Sequence, residues 1–297
     1  MAQTNSKNRW IGYSIYGILL TMIILYYKFP EDAFKDYFEG VLYKLNSELL
    51  VSFEGLSLSF PQGLKFTGPK VSFRESPENK IFAAENVFIR PDAWSLLKLD
   101  PEYRFFCSAS GGNIHGLIHL DKKNENYSFS TSIELKGIRV EDNSRFADII
   151  KGNVKGILNG SISYSGVSNS LIKGTGEGSL SLSTGSFVIT RPILSIKIIE
   201  FNELSLKMTL KNQSLILLNA DLKGKDVLGE ASGSISLNKD FLESRLDLKG
   251  TIEPMSDLFK DNPDARDATS LIKKYLKGGK FAFRILGTIN EPRIRLI

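Results

Sequence analysis

A chain of 297 residues is long enough for one large domain or two modest domains with a buried core. The net charge of +5 is mild, and the basic residues are scattered among acidic ones without a basic stripe, which argues against a nucleic-acid partner. The single cysteine, Cys107, excludes an internal disulfide, and its apolar neighbours favour a small buried side chain over a nucleophile.

The first feature along the chain is an uncharged, mostly apolar stretch over residues 10–27. As a helix rising about 1.5 Å per residue, this stretch would cover roughly the hydrocarbon thickness of a bilayer. We therefore predict a transmembrane anchor over residues 10–28, with aromatic rings at both interfaces. The residues of the predicted anchor are Trp10, Ile11, Ile15, Ile18, Leu19, Leu20, Met22, Ile23, Ile24, Leu25, Tyr26 and Tyr27.

The flanking charges predict the orientation of this anchor. Lys7 and Arg9 precede it, whereas Glu31 and Asp32 follow it closely. By the positive-inside rule, residues 1–9 are expected in the cytoplasm and the bulk of the chain on the far side. A cleavable signal peptide is an alternative, although no small-x-small cleavage site follows the apolar run. A buried core helix is a further alternative.

An amphipathic helix is predicted over residues 29–46. Pro30 suits its first turn, and the carboxylates of Glu31 and Asp32 favour the positive end of the helix dipole. Apolar residues then recur at steps of three and four, at Phe34, Tyr37, Phe38, Val41, Leu42 and Leu45. This stripe either packs on the rest of the protein or lies along the outer leaflet of a membrane.

From residue 47 to residue 297 the apolar period is two, which predicts half-buried strands. The expected fold class is mainly β, with an elongated, curved antiparallel sheet and a possible subdivision near residues 125–150. Short turns, including the one at Gly68 and Pro69, predict antiparallel neighbours. Short helices are expected over residues 91–97 with Asp92 as the cap, and over residues 143–150, 192–199 and 264–276.

A recurring pattern in the second half consists of Gly followed by Ser or Thr alternating with aliphatic residues. It begins at Gly160, Gly178 and Gly233, with shorter copies at Gly250 and Gly287. Such alternation is typical of a sheet with one wet face and one apolar face. It predicts a possible apolar groove lined by Leu180, Leu182, Leu204, Leu206, Ile235 and Leu237.

No catalytic, cofactor or metal site is predicted. His115 and His119 share one face of a predicted strand with Asp121, but solvent-facing histidines are common on strands. The glycine-rich run over residues 174–178 lacks Lys and opens onto a strand, so the phosphate-binding mechanism is absent. We therefore expect a protein without enzymatic activity.

Several segments resemble the type II secretion system protein N family. They are the anchor with its amphipathic helix and the segments 56–66, 90–97, 111–116, 222–237 and 248–252. The resemblance implies a single-pass accessory or structural component of the bacterial inner membrane, with its body in the periplasm and other secretion-system proteins as partners. It assigns no active site.

The Gly-Ser-aliphatic pattern and the segment 287–294 are also similar to AsmA-type proteins. Those are membrane-anchored β-structures with an apolar groove for lipid. This resemblance implies an alternative function, a lipid-binding or lipid-transfer module with an apolar β-groove.

Overall fold

The computed structural model describes residues 4–45, 49–59, 63–74, 76–92, 94–95, 100–123, 126–140, 154–167, 171–193, 196–238, 240–255 and 278–297. Two helices, α1 (Thr4–Tyr27) and α2 (Glu31–Leu45), precede the strands. The strands are β1 (Leu49–Ser52), β2 (Gly55–Ser59), β3 (Gly63–Thr67), β4 (Lys70–Phe73), β5 (Ser76–Ala83), β6 (Asn86–Pro91), β7 (Glu102–Ala109), β8 (Gly112–Lys123), β9 (Asn126–Arg139), β10 (Val154–Val167), β11 (Thr175–Ile193), β12 (Ile196–Lys211), β13 (Ser214–Lys223), β14 (Val227–Ser236), β15 (Arg245–Pro254), β16 (Phe281–Thr288) and β17 (Pro292–Leu296).

Fourteen of these strands form one large antiparallel sheet, in the order β17-β16-β15-β14-β13-β12-β11-β10-β9-β8-β7-β6-β3-β2. From β6 onward each strand pairs with the next strand along the chain. Register shifts interrupt the pairing between β9 and β14. Bulges of this kind generally bend a strand and increase its twist. The prediction of a mainly β fold with a serially built antiparallel sheet is confirmed.

A second sheet contains only β1, β4 and β5, in the order β1-β4-β5. The expectation that β3 and β4 pair across Gly68 and Pro69 is therefore wrong. Gly68 has a φ of 60°, which glycine adopts readily, and the turn sends the chain out of the large sheet. Its backbone bonds instead to the returning chain, because the Gly68 N–H donates to the carbonyl oxygen of Glu85 at 2.9 Å.

The predicted short helices have different outcomes. Residues 192–193 and 196–199 belong to β11 and β12, so the helix expected over residues 192–199 is wrong. Ser95 lies in a short helical segment, and its N–H donates to Asp92 Oδ2 at 3.1 Å, as expected for the cap. The helices predicted over residues 143–150 and 264–276 lie outside the described residues.

The helix α2 packs on the first strands of the large sheet. Phe38 meets the ring of Phe66 edge to face at 5.6 Å between centroids, and Phe66 meets Phe53 in the same way at 5.1 Å. Phe29, which precedes α2, joins the same apolar cluster. Of the two interpretations of the amphipathic stripe, packing on the protein is confirmed.

The helix α1 exposes large apolar side chains in every direction around its axis. They include Trp10, Tyr13, Leu19, Ile23 and Tyr27, of which Tyr27 is 83% exposed. Within the described residues, no helix combines the length and apolar character needed to cross a membrane. The transmembrane prediction for residues 10–28 is not supported by that result.

Candidate functional site

The large sheet has one apolar side, called the apolar face below. Residues paired across antiparallel strands point to the same side of a sheet, so the register defines rows of neighbouring side chains. One such row crosses all fourteen strands without a polar residue. It runs through Leu56, Phe66, Val87, Cys107, Ile114, Leu135, Gly160, Leu180, Leu206, Ala220, Ala231, Gly250, Phe283 and Leu296.

A second row on the apolar face also crosses all fourteen strands and also lacks polar residues. It runs through Leu58, Leu64, Ile89, Phe105, Gly116, Ile133, Ile162, Gly178, Met208, Leu217, Gly233, Leu248, Ile285 and Ile294. At about 4.8 Å per strand, each row extends roughly 60 Å along the sheet.

Aromatic side chains lie over glycines on the apolar face. A Cβ atom added to Gly116 would stand 2.3 Å from Cε1 of Phe105, its cross-strand neighbour. A Cβ atom at Gly250 would stand 2.7 Å from Cζ of Phe283, which is also a cross-strand neighbour. The glycines therefore make room for large rings within a single layer, and the rings shield the bare glycine backbone.

Two parts of the apolar face are covered in the described structure. The helix α2 covers Leu56, Phe66 and their neighbours on β2, β3 and β6. Where β9 ends and β10 begins, Val140 and Val154 form a buried cluster with Leu182 of β11 and Phe201 of β12. Elsewhere many of the apolar side chains, such as those of Leu180, Leu206 and Met208, are half-buried. The second sheet of the described structure pairs with none of the strands that carry these side chains.

The structure brings together most of the residues predicted for the apolar groove. Leu180 pairs with Leu206, and Leu182 pairs with Leu204 in the adjacent row. Ile235 lies on β14, where it pairs with Leu215 and Leu246. Leu237 follows the end of β14, and its N–H donates to the carbonyl oxygen of Gln213 at 2.7 Å. Their role as a ligand site stays a prediction.

Sequence analysis missed the part of the apolar face that β6 to β9 form. Val87, Phe105 and Ile133 all belong to the two apolar rows. The alternation in this part of the sequence carried the signal, but Phe105 and Phe106 are both aromatic and point to opposite sides. The residue types alone therefore do not indicate which of the two rings lies on the apolar face.

Cys107 lies within the first apolar row and is 3% exposed. Burial raises the pKa of its thiol to about 11, so the thiol is neutral at ordinary pH. Cys107 pairs with Ile114, whereas His115 pairs with Phe106, so His115 lies on the opposite side of the sheet from Cys107. The sheet thus separates the cysteine from this histidine.

The two histidines of β8 have different surroundings. The ring of His115 packs edge-on against Phe106 at 4.8 Å between centroids. The Nε2 atom of His119 lies 3.1 Å from Oδ1 of Asp100, in an exposed pair. Among the described residues, no group of three or more His, Cys, Asp or Glu side chains is placed to hold a metal ion.

The other side of the large sheet, called the polar face below, carries mainly Ser, Thr, Lys, Arg, Asp and Glu. Arg284 donates two hydrogen bonds to the carboxylate of Asp247, each at 2.9 Å. The Arg284 hydrogen bonds hold the pKa of Asp247 below its usual value. Both side chains are about half-exposed, so this pair contributes little to stability.

The site is thus a wide apolar surface with a polar reverse side, and it has no reactive constellation among the described residues. Apolar surface of this extent, without a covering layer in the described structure, favours an apolar ligand. Comparisons of the chain with protein-family models, with curated proteins and with solved structures give no match.

Proposed function

We propose that this protein is held at a membrane by α1 and that the apolar face of its large sheet binds the acyl chains of lipids. The observation that carries the proposal is the pair of unbroken apolar rows across all fourteen strands. Exposed apolar surface favours an apolar occupant, since each methylene group removed from water contributes about 0.8 kcal/mol.

The surroundings of the apolar face support the same proposal. The helix α2 bounds it at β2, and the segment between α1 and α2 places Phe29 in that boundary. Because α1 ends at Tyr27, its last residue is two positions from Phe29 and thus close to this end of the apolar face. A bilayer around α1 would bring lipid close to the sheet without a separate carrier.

A second candidate function is an accessory component of a type II secretion system, with α1 in the inner membrane and the sheets in the periplasm. The resemblance to the protein N family supports it. The segment 56–66 of that resemblance includes β2 and β3, which are the hairpin beneath α2. The polar face supplies exposed, mixed charges for flat contact with other proteins. Lipid binding and secretion are compatible in one protein.

Neighbouring residues on β12 allow one experiment to test both candidates. Leu206 lies on the apolar face, and Lys207 lies on the polar face and is exposed. A photoreactive phenylalanine analogue would be incorporated at position 206 or at position 207 of the full chain in bacterial membranes. After irradiation, mass spectrometry would identify the adducts.

We expect lipid adducts from position 206 and few from position 207. Equal lipid labelling at both positions, or none at position 206, would contradict lipid binding by the apolar face. The secretion candidate predicts adducts between position 207 or other polar-face positions and secretion subunits. Recovery of no secretion subunit, by crosslinking or by pull-down, would count against that candidate.

A further inference from the structure

A cavity of about 610 Å³ lies on the polar face, between β6 and β9. It is called the arginine–aromatic pocket below. Its walls belong to two neighbouring rows of the polar face. Between those rows lie Phe105 and Gly116, which belong to a row of the apolar face. The lining residues are Phe88, Arg90, Arg104, Phe105, Phe106, His115, Gly116, Leu117, Ser132 and Glu134.

One wall of the arginine–aromatic pocket is a series of three rings. Phe88 pairs with Phe106 across β6 and β7 at 6.2 Å between centroids, and Phe106 packs against His115 at 4.8 Å. All three are half-buried. Beyond this series, the same row continues with Glu134, Ser161 and Ser179, as expected for a wet surface. The rings therefore form a local apolar shelf on an otherwise polar face.

The other wall carries positive charge. Arg90 and Arg104 are directly paired across β6 and β7, and like charges in that position repel each other. Arg104 has a partner in Asp92, at 3.4 Å from Nη2 to Oδ1, whereas no ion pair joins Arg90 to any described residue. Lys65 pairs with Phe88 at the end of the row of rings and adds a third cation beside the pocket, with Nζ 5.6 Å from the centre of the Phe88 ring.

Two carboxylates at this pocket, those of Asp92 and Glu134, have other partners as well. Asp92 also accepts the N–H of Ser95, so its second oxygen is engaged there. Glu134 lies at the far side of the arginine–aromatic pocket, and its Oε1 atom is 2.9 Å from Nζ of Lys136. An anion between Arg90 and Arg104 would relieve their repulsion and accept paired hydrogen bonds from the guanidinium groups.

We propose that the arginine–aromatic pocket binds ligands in which an aromatic group lies next to a carboxylate or a phosphate. The anionic group lies between Arg90 and Arg104, and the aromatic group packs on Phe106 and His115. The pocket is on the opposite side of the sheet from the apolar face. The proposal is therefore independent of lipid binding.

Fluorine NMR of small probes would test this proposal on the full chain in lipid nanodiscs. The probes are fluorinated 3-phenylpropanoate and fluorinated phenyl phosphate, each in titration with the protein. Fluorinated 3-phenylpropanol serves as the neutral analogue, and competition by inorganic phosphate tests the anion alone. The two charged probes distinguish a carboxylate ligand from a phosphate ligand.

The double variant R90Q/R104Q removes both charges and keeps the polar side chains. We expect it to weaken binding of the preferred probe by about tenfold or more, because charge-assisted hydrogen bonds are lost. The matched control is R293Q/R295Q on β17, which removes two exposed arginines of the same sheet. This control is expected to bind the probe as the parent does.

A third variant, Phe106→Leu, tests the aromatic shelf. It is expected to weaken binding of the two aromatic anions but not binding of inorganic phosphate. Absence of saturable binding by both charged probes would overturn the proposal. Equal binding of the neutral analogue, or equal loss in both arginine double variants, would also overturn it. Thermal unfolding followed by circular dichroism would show that each variant is folded.

Discussion

The substitution Gly116→Ala tests whether the apolar face depends on rings packed over glycines. The new Cβ atom would stand 2.3 Å and 2.4 Å from two ring atoms of Phe105, and 2.8 Å from the carbonyl oxygen of Ser132. The ring can move, but the carbonyl belongs to the backbone of β9, which is fixed by pairing on both sides. Overpacking of this kind lowers the free energy of unfolding by about 1–3 kcal/mol.

For a chain of this size, that cost corresponds to a fall in the melting temperature of about 2–12 °C. Circular dichroism of the full chain in one detergent would measure it. The control is Gly55→Ala on β2, where the nearest atom to a new Cβ is Cβ of Thr67 at 4.0 Å. This control is expected to leave the free energy of unfolding unchanged or to raise it by about 0.4–1 kcal/mol, because alanine reduces the conformational entropy of the unfolded chain.

A double-mutant cycle separates the two contacts of Gly116. If the Phe105 ring causes most of the loss, Gly116→Ala costs less in a Phe105→Leu background than in the parent. An unchanged melting temperature for Gly116→Ala would refute the reasoning. So would an equal fall for Gly55→Ala, because that position has room for the added methyl group.

Three further predictions concern the buried cluster, the cysteine and the ion pair. Leu182→Ala should lower the free energy of unfolding by about 2–5 kcal/mol in denaturant titrations, whereas Leu218→Ala, at a 59% exposed position, should change it by less than about 0.5 kcal/mol. Cys107 should react slowly with a thiol reagent at pH 8 in the folded protein and rapidly in denaturant, because burial raises its pKa to about 11. Arg284 lowers the pKa of folded Asp247, so its contribution to stability is present above the unfolded pKa and is lost as pH falls through the folded pKa. The difference in denaturant midpoint between parent and Asp247→Asn should therefore shrink between pH 6 and pH 2.

Each of these predictions has an outcome that would contradict it. Similar costs for Leu182→Ala and Leu218→Ala would show that the buried cluster around Leu182 is not a packed core. Fast labelling of Cys107 under native conditions would place its thiol outside the apolar row. If the difference in denaturant midpoint between parent and Asp247→Asn does not change with pH, then ionisation of the Asp247 carboxylate does not contribute to stability.

The large sheet was predictable because its signal is local and repeated. Alternation around Gly160, Gly178 and Gly233 predicted one apolar side, and short turns predicted pairing with the next strand. Glycine in a strand permits bends and bulges. In the structure Gly178 also lies beside Met208, and its missing side chain makes room for that neighbour.

Other features depend on contacts that a single sequence does not display. A short helix was expected over residues 192–199, but Ile193 of β11 pairs with Ile196 of β12, and this pairing between strands outweighs local sequence preference. The departure of β4 and β5 into a second sheet follows from where β1 lies. The arginine–aromatic pocket required the register, because Arg90 and Arg104 are distant in sequence and opposite in the sheet.

The pairing of each strand from β6 onward with its sequence neighbour also bears on how the chain reaches its fold. Most of these pairs have ends that are close along the chain, and longer connections join β9 to β10 and β15 to β16. Little loop entropy therefore opposes most of the added strands. Folding can therefore propagate from one hairpin to the next, as in repeat proteins, with each step extending both apolar rows. Loss or gain of one whole hairpin would shorten or lengthen the apolar face without altering its cross-section.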